Sequence, residues 1–235
     1  MRDAERMREV ASIICSFPEH LPAVVLSAMG KTTNQLLAAG DEALQARSVD
    51  IGSLAPLVAI RALHLRTCEE LCVGSEVTAE IGALLDQLQQ LLTGISLMQE
   101  LTPRTKASLV SFGERMATRI FAAFLREQGV AARQYDAFGR LGVVATDDYG
   151  NGDVLHETYA VVAAVLGDVP GAPARPEVPI VTGFLARAKN SGAIVTLGRG
   201  GSDLTATVLG RALGVREVQA RKQRPLPALR SNAVG

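Results

Sequence analysis

Thr196-Leu197-Gly198-Arg199-Gly200-Gly201-Ser202-Asp203 is the segment of this sequence best equipped for chemistry. It lies between a β-type stretch and a helical one. Its glycines let backbone approach a ligand closely, and a helix N-terminus offers unpaired N–H groups and positive dipole to an anion. Arg199 adds a planar fork that suits a carboxylate or a phosphate. Ser202 and Asp203 could join such a site or serve only as helix caps.

Three further segments carry reactive groups. Ser27 to Asn34 (Ser-Ala-Met-Gly-Lys-Thr-Thr-Asn) follows the apolar run Ala23-Val24-Val25-Leu26. A phosphate-binding loop of the Gly-x-x-x-x-Gly-Lys-Thr type needs glycine five positions before Gly30, where Val25 stands, so that motif is rejected. A hydroxyl-rich loop at the carboxyl end of a buried strand still sits where open α/β sheets bind ligands. Ser27, Thr32 and Thr33 are therefore candidate donors, with plain helix capping the competing role. Ser111-Phe112-Gly113-Glu114-Arg115 puts a glycine inside a helix at a cost of about 1 kcal/mol, which close packing or ligand approach would explain. Glu114 beside it could hold an amino group or be a solvated charge. Thr146-Asp147-Asp148 places neighbouring acids at a strand end, suited to a cation or to starting a turn. His64, Cys68 and Cys72 have helical spacing that could hold a metal, but they lie among leucines with no fourth ligand nearby, so no metal site is expected.

The elements that must position these groups follow from periodicity. Residues 4–17 read as an amphipathic helix, and 23–26 as a buried strand. Residues 54–101 are almost wholly helix formers, with breaks expected at Gly74 and Gly94. The next helix is announced by Thr102 as N-cap, Pro103 at its first position and Gly129 past its end. Beyond it, β-type stretches (130–136, 141–146, 179–184, 193–197) alternate with helical ones (153–166, 203–213). That order predicts βαβ units and an α/β fold with an open, mainly parallel sheet flanked by helices. Pro170, Pro173, Pro176 and Pro179 mark one exposed connection. The stretch 220–235, with basic residues, prolines and no acid, reads as a disordered tail.

Composition narrows the classes. The 235 residues carry 24 Lys+Arg against 24 Asp+Glu, so nucleic acid is not expected as a partner. No apolar run approaches the ~18 residues of a membrane span, and no membrane partner is expected. An odd set of three cysteines disfavours a disulfide framework.

Taken in order, these segments resemble the aspartate kinases of the monofunctional plant type, within the amino-acid kinase fold. The matching stretches are Ala4 to Val10, Val25 to Asn34, Phe112 to Ala123, Arg133 to Phe138, Thr146 to Asp148, Val181 to Leu185 and Thr196 to Thr207. The resemblance runs from about residue 3 to 219, which makes 1–219 an amino-acid kinase catalytic domain. It implies transfer of the γ-phosphoryl of ATP to the side-chain carboxylate of L-aspartate, the first step towards lysine, threonine and methionine, with Mg²⁺ accompanying the nucleotide. Carried over residue by residue, it implies that Ser27, Thr33, Gly200 and Gly201 face ATP. Glu114 would hold the substrate ammonium group, Arg199 its α-carboxylate, and Ser202 would complete that site. Phe184 would wall the pocket, and Asp203 would act catalytically by positioning the amine. A homo-oligomer and a plastid location are further implications, with a cytoplasmic one if the source is bacterial.

Two departures from the family pattern shape the expectation for turnover. Family members open with a strand and a Lys-Phe-Gly-Gly loop before the segment matching Ala4 to Met7, whereas this sequence starts at Met1-Arg2-Asp3. After Val218-Gln219 the family continues with Lys-Asp-Val-Asp-Gly-Val, replaced here by the basic Pro-rich stretch. The sheet is thus expected to lack its first strand and its C-terminal part. Losing one preorganised cation costs about 3 kcal/mol in barrier, so turnover is expected to fall roughly 10²-fold or more. The alternative function is a non-catalytic fragment that binds aspartate or a full-length partner.

Overall fold

A computed structural model describes residues 2–17, 20, 22–46, 50–167 and 177–220. The elements run α1 (Ala4–Cys15), β1 (Val24–Leu26), α2 (Thr32–Gln45), α3 (Ala55–Glu70), α4 (Ser75–Met98), α5 (Pro103–Glu127), β2 (Ala132–Tyr135), β3 (Val144–Ala145), α6 (Glu157–Leu166), β4 (Val178–Thr182), β5 (Leu185–Ala188), β6 (Ile194–Thr196) and α7 (Gly201–Ala212).

Strands β1, β4 and β2 form a parallel sheet with β4 in the middle, in register Val24↔Ile180 and Gln134↔Ile180. Both faces of this sheet are covered, which is why β1 reads as an unbroken apolar run. Val24, Leu26 and Ile180 join a core built with α1 to α5. Val25 and Val181, pointing the other way, join a second core with Val162 of α6 and Leu209 of α7. A second small sheet has order β3-β5-β6, with β3 parallel to β5 and β5 antiparallel to β6. The two sheets are continuous in the chain, since only Gly183 and Phe184 separate β4 from β5.

The α/β architecture expected from the alternation is present, with differences in detail. Helix α5 has its predicted ends: Thr102 Oγ1 accepts the Thr105 N–H at 3.1 Å, and Gly129 lies past the end at φ +77°. The 54–101 stretch breaks at Leu71–Gly74 but not at Gly94, which sits inside α4. The buried stripe Ile81, Leu84, Leu85, Leu88, Leu92 and Ile95 outweighs the propensity cost of one glycine. The expected strand 141–146 shrinks to Val144–Ala145, and the helix expected over 153–166 starts only at Glu157 because Val154 bridges Ala145 instead. Strand β5 was not anticipated, being too short and too close to β4 to show its own period. Pro179 belongs to β4 rather than to an exposed connection. There β4 is flanked by β2 alone, since β1 pairs only from Ile180, so no ladder partner needs its missing N–H. Pro170, Pro173 and Pro176, and the tail from 221, lie outside the described residues.

The His64, Cys68 and Cys72 spacing at α3 resolves into packing. His64 is fully buried, with Nδ1 2.7 Å from the Ile60 carbonyl, so Nδ1 carries the proton and Nε2 has no partner. Cys68 is buried and its thiol is pushed up to about 11 by burial, whereas Cys72 is exposed just past the helix.

Two predictions follow from this packing. Burial holds the His64 imidazole down at about 4, so the stability carried by its neutral form is complete above its ordinary value of about 6.5 and is lost as pH falls towards 4. That shift corresponds to about 3 kcal/mol, and His64→Leu should remove the corresponding slope from urea-denaturation stabilities measured between pH 6.5 and 4. Gly113 in α5 meets the loop after β1 so closely that a Cβ there would stand 2.7 Å from Ala28 Cβ and 3.4 Å from Thr32 Cγ2. Gly113→Val should therefore cost about 1–3 kcal/mol, read as a lowered urea midpoint with an unchanged slope.

Candidate functional site

The carboxyl ends of β1 and β4 are pinned together by the Gly183 N–H, which donates to the Leu26 carbonyl at 2.8 Å. One residue on, Ser27 Oγ donates to Ser202 Oγ at 2.8 Å, tying the loop after β1 to the first turn of α7. The approach depends on small residues. A Cβ on Gly183 would lie 2.6 Å from Ser202 Oγ and 3.0 Å from Val25 Cγ1. Gly198 and Gly200 take φ of +68° and +79°, the left-handed region that turns the chain from β6 into α7. α7 starts without a side-chain cap on its backbone N–H groups, and Asp203 stands in its first turn. Phe184 also has a positive φ (+69°), which the surroundings enforce: its N–H donates to Thr205 Oγ1 at 3.1 Å and its carbonyl accepts from Leu197 N–H at 2.8 Å. Its ring covers Gly201, where a Cβ would come within 2.8 Å of Phe184 Cδ2.

Glu114 reaches the same loop from the other side. The carboxylate is 2% exposed; Oε1 accepts the Ala28 N–H at 3.2 Å, and Oε2 is buried with no partner. Desolvation pushes its pKa up to about 7, against the weaker opposing pull of the Ala28 and Glu114 backbone N–H groups. The glycine next to it lets this happen, because Gly113 is where α5 touches Ala28 and Thr32. Thr32, on the first turn of α2, is wholly buried and its Oγ1 is a second oxygen with no partner. Thr33, its neighbour, is half-buried in the same turn.

Arg199 is exposed on the turn before α7, and its side chain forms no ion pair among the described residues. Glu114 likewise has no cationic partner among them. The two groups therefore stand on α5 and on the Gly-rich turn, joined by the chain of contacts Glu114–Ala28, Ser27–Ser202. A guanidinium with no ion pair on one of these linked segments and a buried carboxyl with none on the other are group types that suit a ligand bearing both a carboxylate and an ammonium group. Next to Glu114, Arg115 turns away: its guanidinium lies over the Phe112 ring at 4.8 Å, and burial holds its pKa below the usual arginine range. Farther along α5, Arg119 grips Asp136 at the end of β2 through a two-pronged contact of 2.9 and 3.3 Å, fixing α5 against the sheet.

Other candidate segments are structural. Asp147 accepts from the Asn190 and Ser191 N–H groups at 3.0 and 2.9 Å, which holds its carboxyl below the usual range and closes the β5–β6 hairpin onto the end of β3. Asp148 accepts from the Gly150 and Asn151 N–H groups. Gly30 is needed for its own φ of +53° and for the Arg2 carbonyl, 3.2 Å from where a Cβ would be, not for a phosphate. Sequence reasoning missed Thr205 as the residue that fixes Phe184, and Gly183 as the thin point under Ser202. Both depend on contacts between segments with no local signature.

No group of three or more His, Cys, Asp or Glu among the described residues could hold a metal ion. No helix among them is long and apolar enough to cross a membrane.

The comparisons with known proteins agree with one another. The model of the amino acid kinase family matches residues 1–221. The chain is 53% identical over 219 residues to chloroplastic aspartokinase 1 of Arabidopsis thaliana, a match that covers 93% of this chain and 37% of that one. It is 31% identical over 217 residues to lysine-sensitive aspartokinase 3 of Escherichia coli, with 92% and 45% covered. The structure of E. coli aspartokinase III in complex with aspartate and ADP superposes with a TM-score of 0.74 over 89% of this chain and 44% of that one, at 31% identity. This chain thus spans less than half the length of these relatives. The chain belongs to the amino acid kinase family, and within that family its likeness is to the aspartokinases.

Proposed function

We propose that residues 1–219 form the substrate-binding unit of an aspartate kinase, which passes the γ-phosphoryl of ATP to the side-chain carboxylate of L-aspartate. The observation that carries this reading is the pairing of Ser27 with Ser202 at 2.8 Å beside the buried Glu114, which gathers three separately matched motifs around one rim. The aspartate and ADP named with the E. coli relative support the same ligands here.

The physical problem is to bring a carboxylate nucleophile to a polyanion, and it is met by fixing the amino acid through its other end. Arg199 forks onto the α-carboxylate while Glu114 takes the ammonium group, so the side-chain carboxylate is the one left free to attack. Phe184, its backbone locked by Thr205, walls the pocket, and Ser202 completes it. Asp203, in the first turn of α7, helps position the amine. Ser27 and Thr33, with the backbone of Gly200 and Gly201 at the α7 N-terminus, face the nucleotide phosphates, where helix dipole and N–H groups favour negative charge. Magnesium would arrive with the nucleotide, held mainly by its phosphates, since no cluster of three or more acidic, His or Cys side chains stands among the described residues to hold it alone. The chloroplastic relatives support a plastid location.

Calorimetry on this chain tests the substrate. L-aspartate should bind and L-glutamate, one methylene longer, should bind at least tenfold more weakly. Arg199→Ala should weaken aspartate by about 2–3 kcal/mol, roughly 30- to 150-fold, the usual worth of a charge-assisted pair, with Arg199→Lys recovering only part. Equal binding of the two amino acids, or an indifferent Arg199→Ala variant, would overturn the assignment.

A further inference from the structure

Glu114 is the costliest group in the site. It is 2% exposed, it receives a side-chain hydrogen bond only from the Ala28 N–H, and Oε2 faces no donor at all. An ionised carboxylate left in that position would lose its hydration with almost nothing in return.

The charged groups on the elements packed around it do not repair this. On its own helix, Arg115 is stacked on Phe112 and Arg119 is committed to Asp136 at the end of β2 and, at 3.9 Å, to Glu80 of α4. Lys31, at the start of α2, is exposed; on α3, Arg61 and Arg66 are paired with Asp86 and Glu70, and His64 is buried and neutral. Asp203 and Arg199 lie on and before α7, Arg199 exposed. β1, β4 and β6 bring only uncharged side chains. No charged side chain contributes to the ionisation of Glu114, which burial and backbone N–H groups set between them.

We infer that Glu114 is a neutral carboxylic acid in the ligand-free chain and gives up its proton when the ammonium group of the amino acid arrives, so that capture of the ligand releases a proton to solvent. The inference deepens the function proposed above and rests on it for the ligand. The balance is simple. The protonated acid and the ammonium cation enter, a carboxylate–ammonium pair remains, and one H⁺ leaves to the buffer; no covalent bond other than the acid O–H is broken. Ionisation becomes favourable only then, because the incoming cation supplies the N–H donors and the charge that Oε2 lacks. Below pH 7 the proton must be displaced for binding to occur, so affinity should rise about tenfold from pH 6 to pH 8 and level off above.

The full chain, labelled with ¹³C at glutamate carboxyls, provides the test. The resonance missing from Glu114→Gln should titrate near pH 7 in the free chain, not at the ordinary 4–5. Calorimetry at pH 7 in phosphate and in Tris, whose ionisation heats differ, should then show about half a proton released per L-aspartate bound. Succinate, which lacks the amine, should bind with no buffer-dependent heat. An ordinary titration of Glu114 in a chain that binds aspartate overturns this inference alone, as does an aspartate heat independent of buffer. A raised titration with no aspartate binding instead removes the proposed function, and the coupling with it.

Discussion

The hydrogen bond from the Ala28 backbone to the Glu114 carboxyl is the contact on which the site is organised. It exists because α5 can press against the loop after β1 at Gly113, where any side chain would collide with Ala28. The loop, so held, delivers Ser27 to Ser202 and thereby meets the Gly-rich turn of α7. Three elements distant in sequence are thus brought to one edge of the parallel sheet, at the carboxyl ends of its strands, where this class of fold binds ligands.

That arrangement carries a thermodynamic cost at the site itself. Burial of Glu114 favours its neutral form, so folding stability falls as pH rises from the ordinary carboxyl value towards 7. Burial of neutral His64 acts in the opposite sense, its contribution rising over a nearly coincident range. The two slopes oppose each other where they overlap, so each group's share is read as the difference between the parent chain and the variant that lacks it. Of the two, His64 lies within the helical packing of α3, whereas Glu114 reaches the loop after β1, which leads into α2 with its buried and unpartnered Thr32 Oγ1. A buried polar group left unsatisfied is more easily understood at a site that receives a ligand than in a core.

Much of this was legible without coordinates. The N-cap, proline and terminal glycine of α5 are local signals, and they placed that helix to within two residues because capping is decided by neighbours in sequence. Glycine within a helix marked a thin spot at Gly113, whereas half-buried Gly94, expected to break the helix, passes through α4 with open space where its Cβ would be. What went unread depended on partners: β5 is four residues long and has meaning only through its antiparallel pairing with β6, and Asp147 became a hairpin clamp only when Asn190 and Ser191 were folded onto it.

By itself the sequence determined the alternation of elements, the apolar strands buried on both faces, and which residue types stand in the loops that could bind an amino acid and a nucleotide. Those are properties of period, capping and local chemistry. Only the tertiary structure decided that Glu114 is sealed from water while Arg199 stays exposed, that Ser27 touches Ser202, and that the acids at 147 and 148 serve the chain rather than a ligand. Burial and pairing depend on what packs from across the fold, and desolvation, which decides the charge of Glu114, has no counterpart in a linear chain.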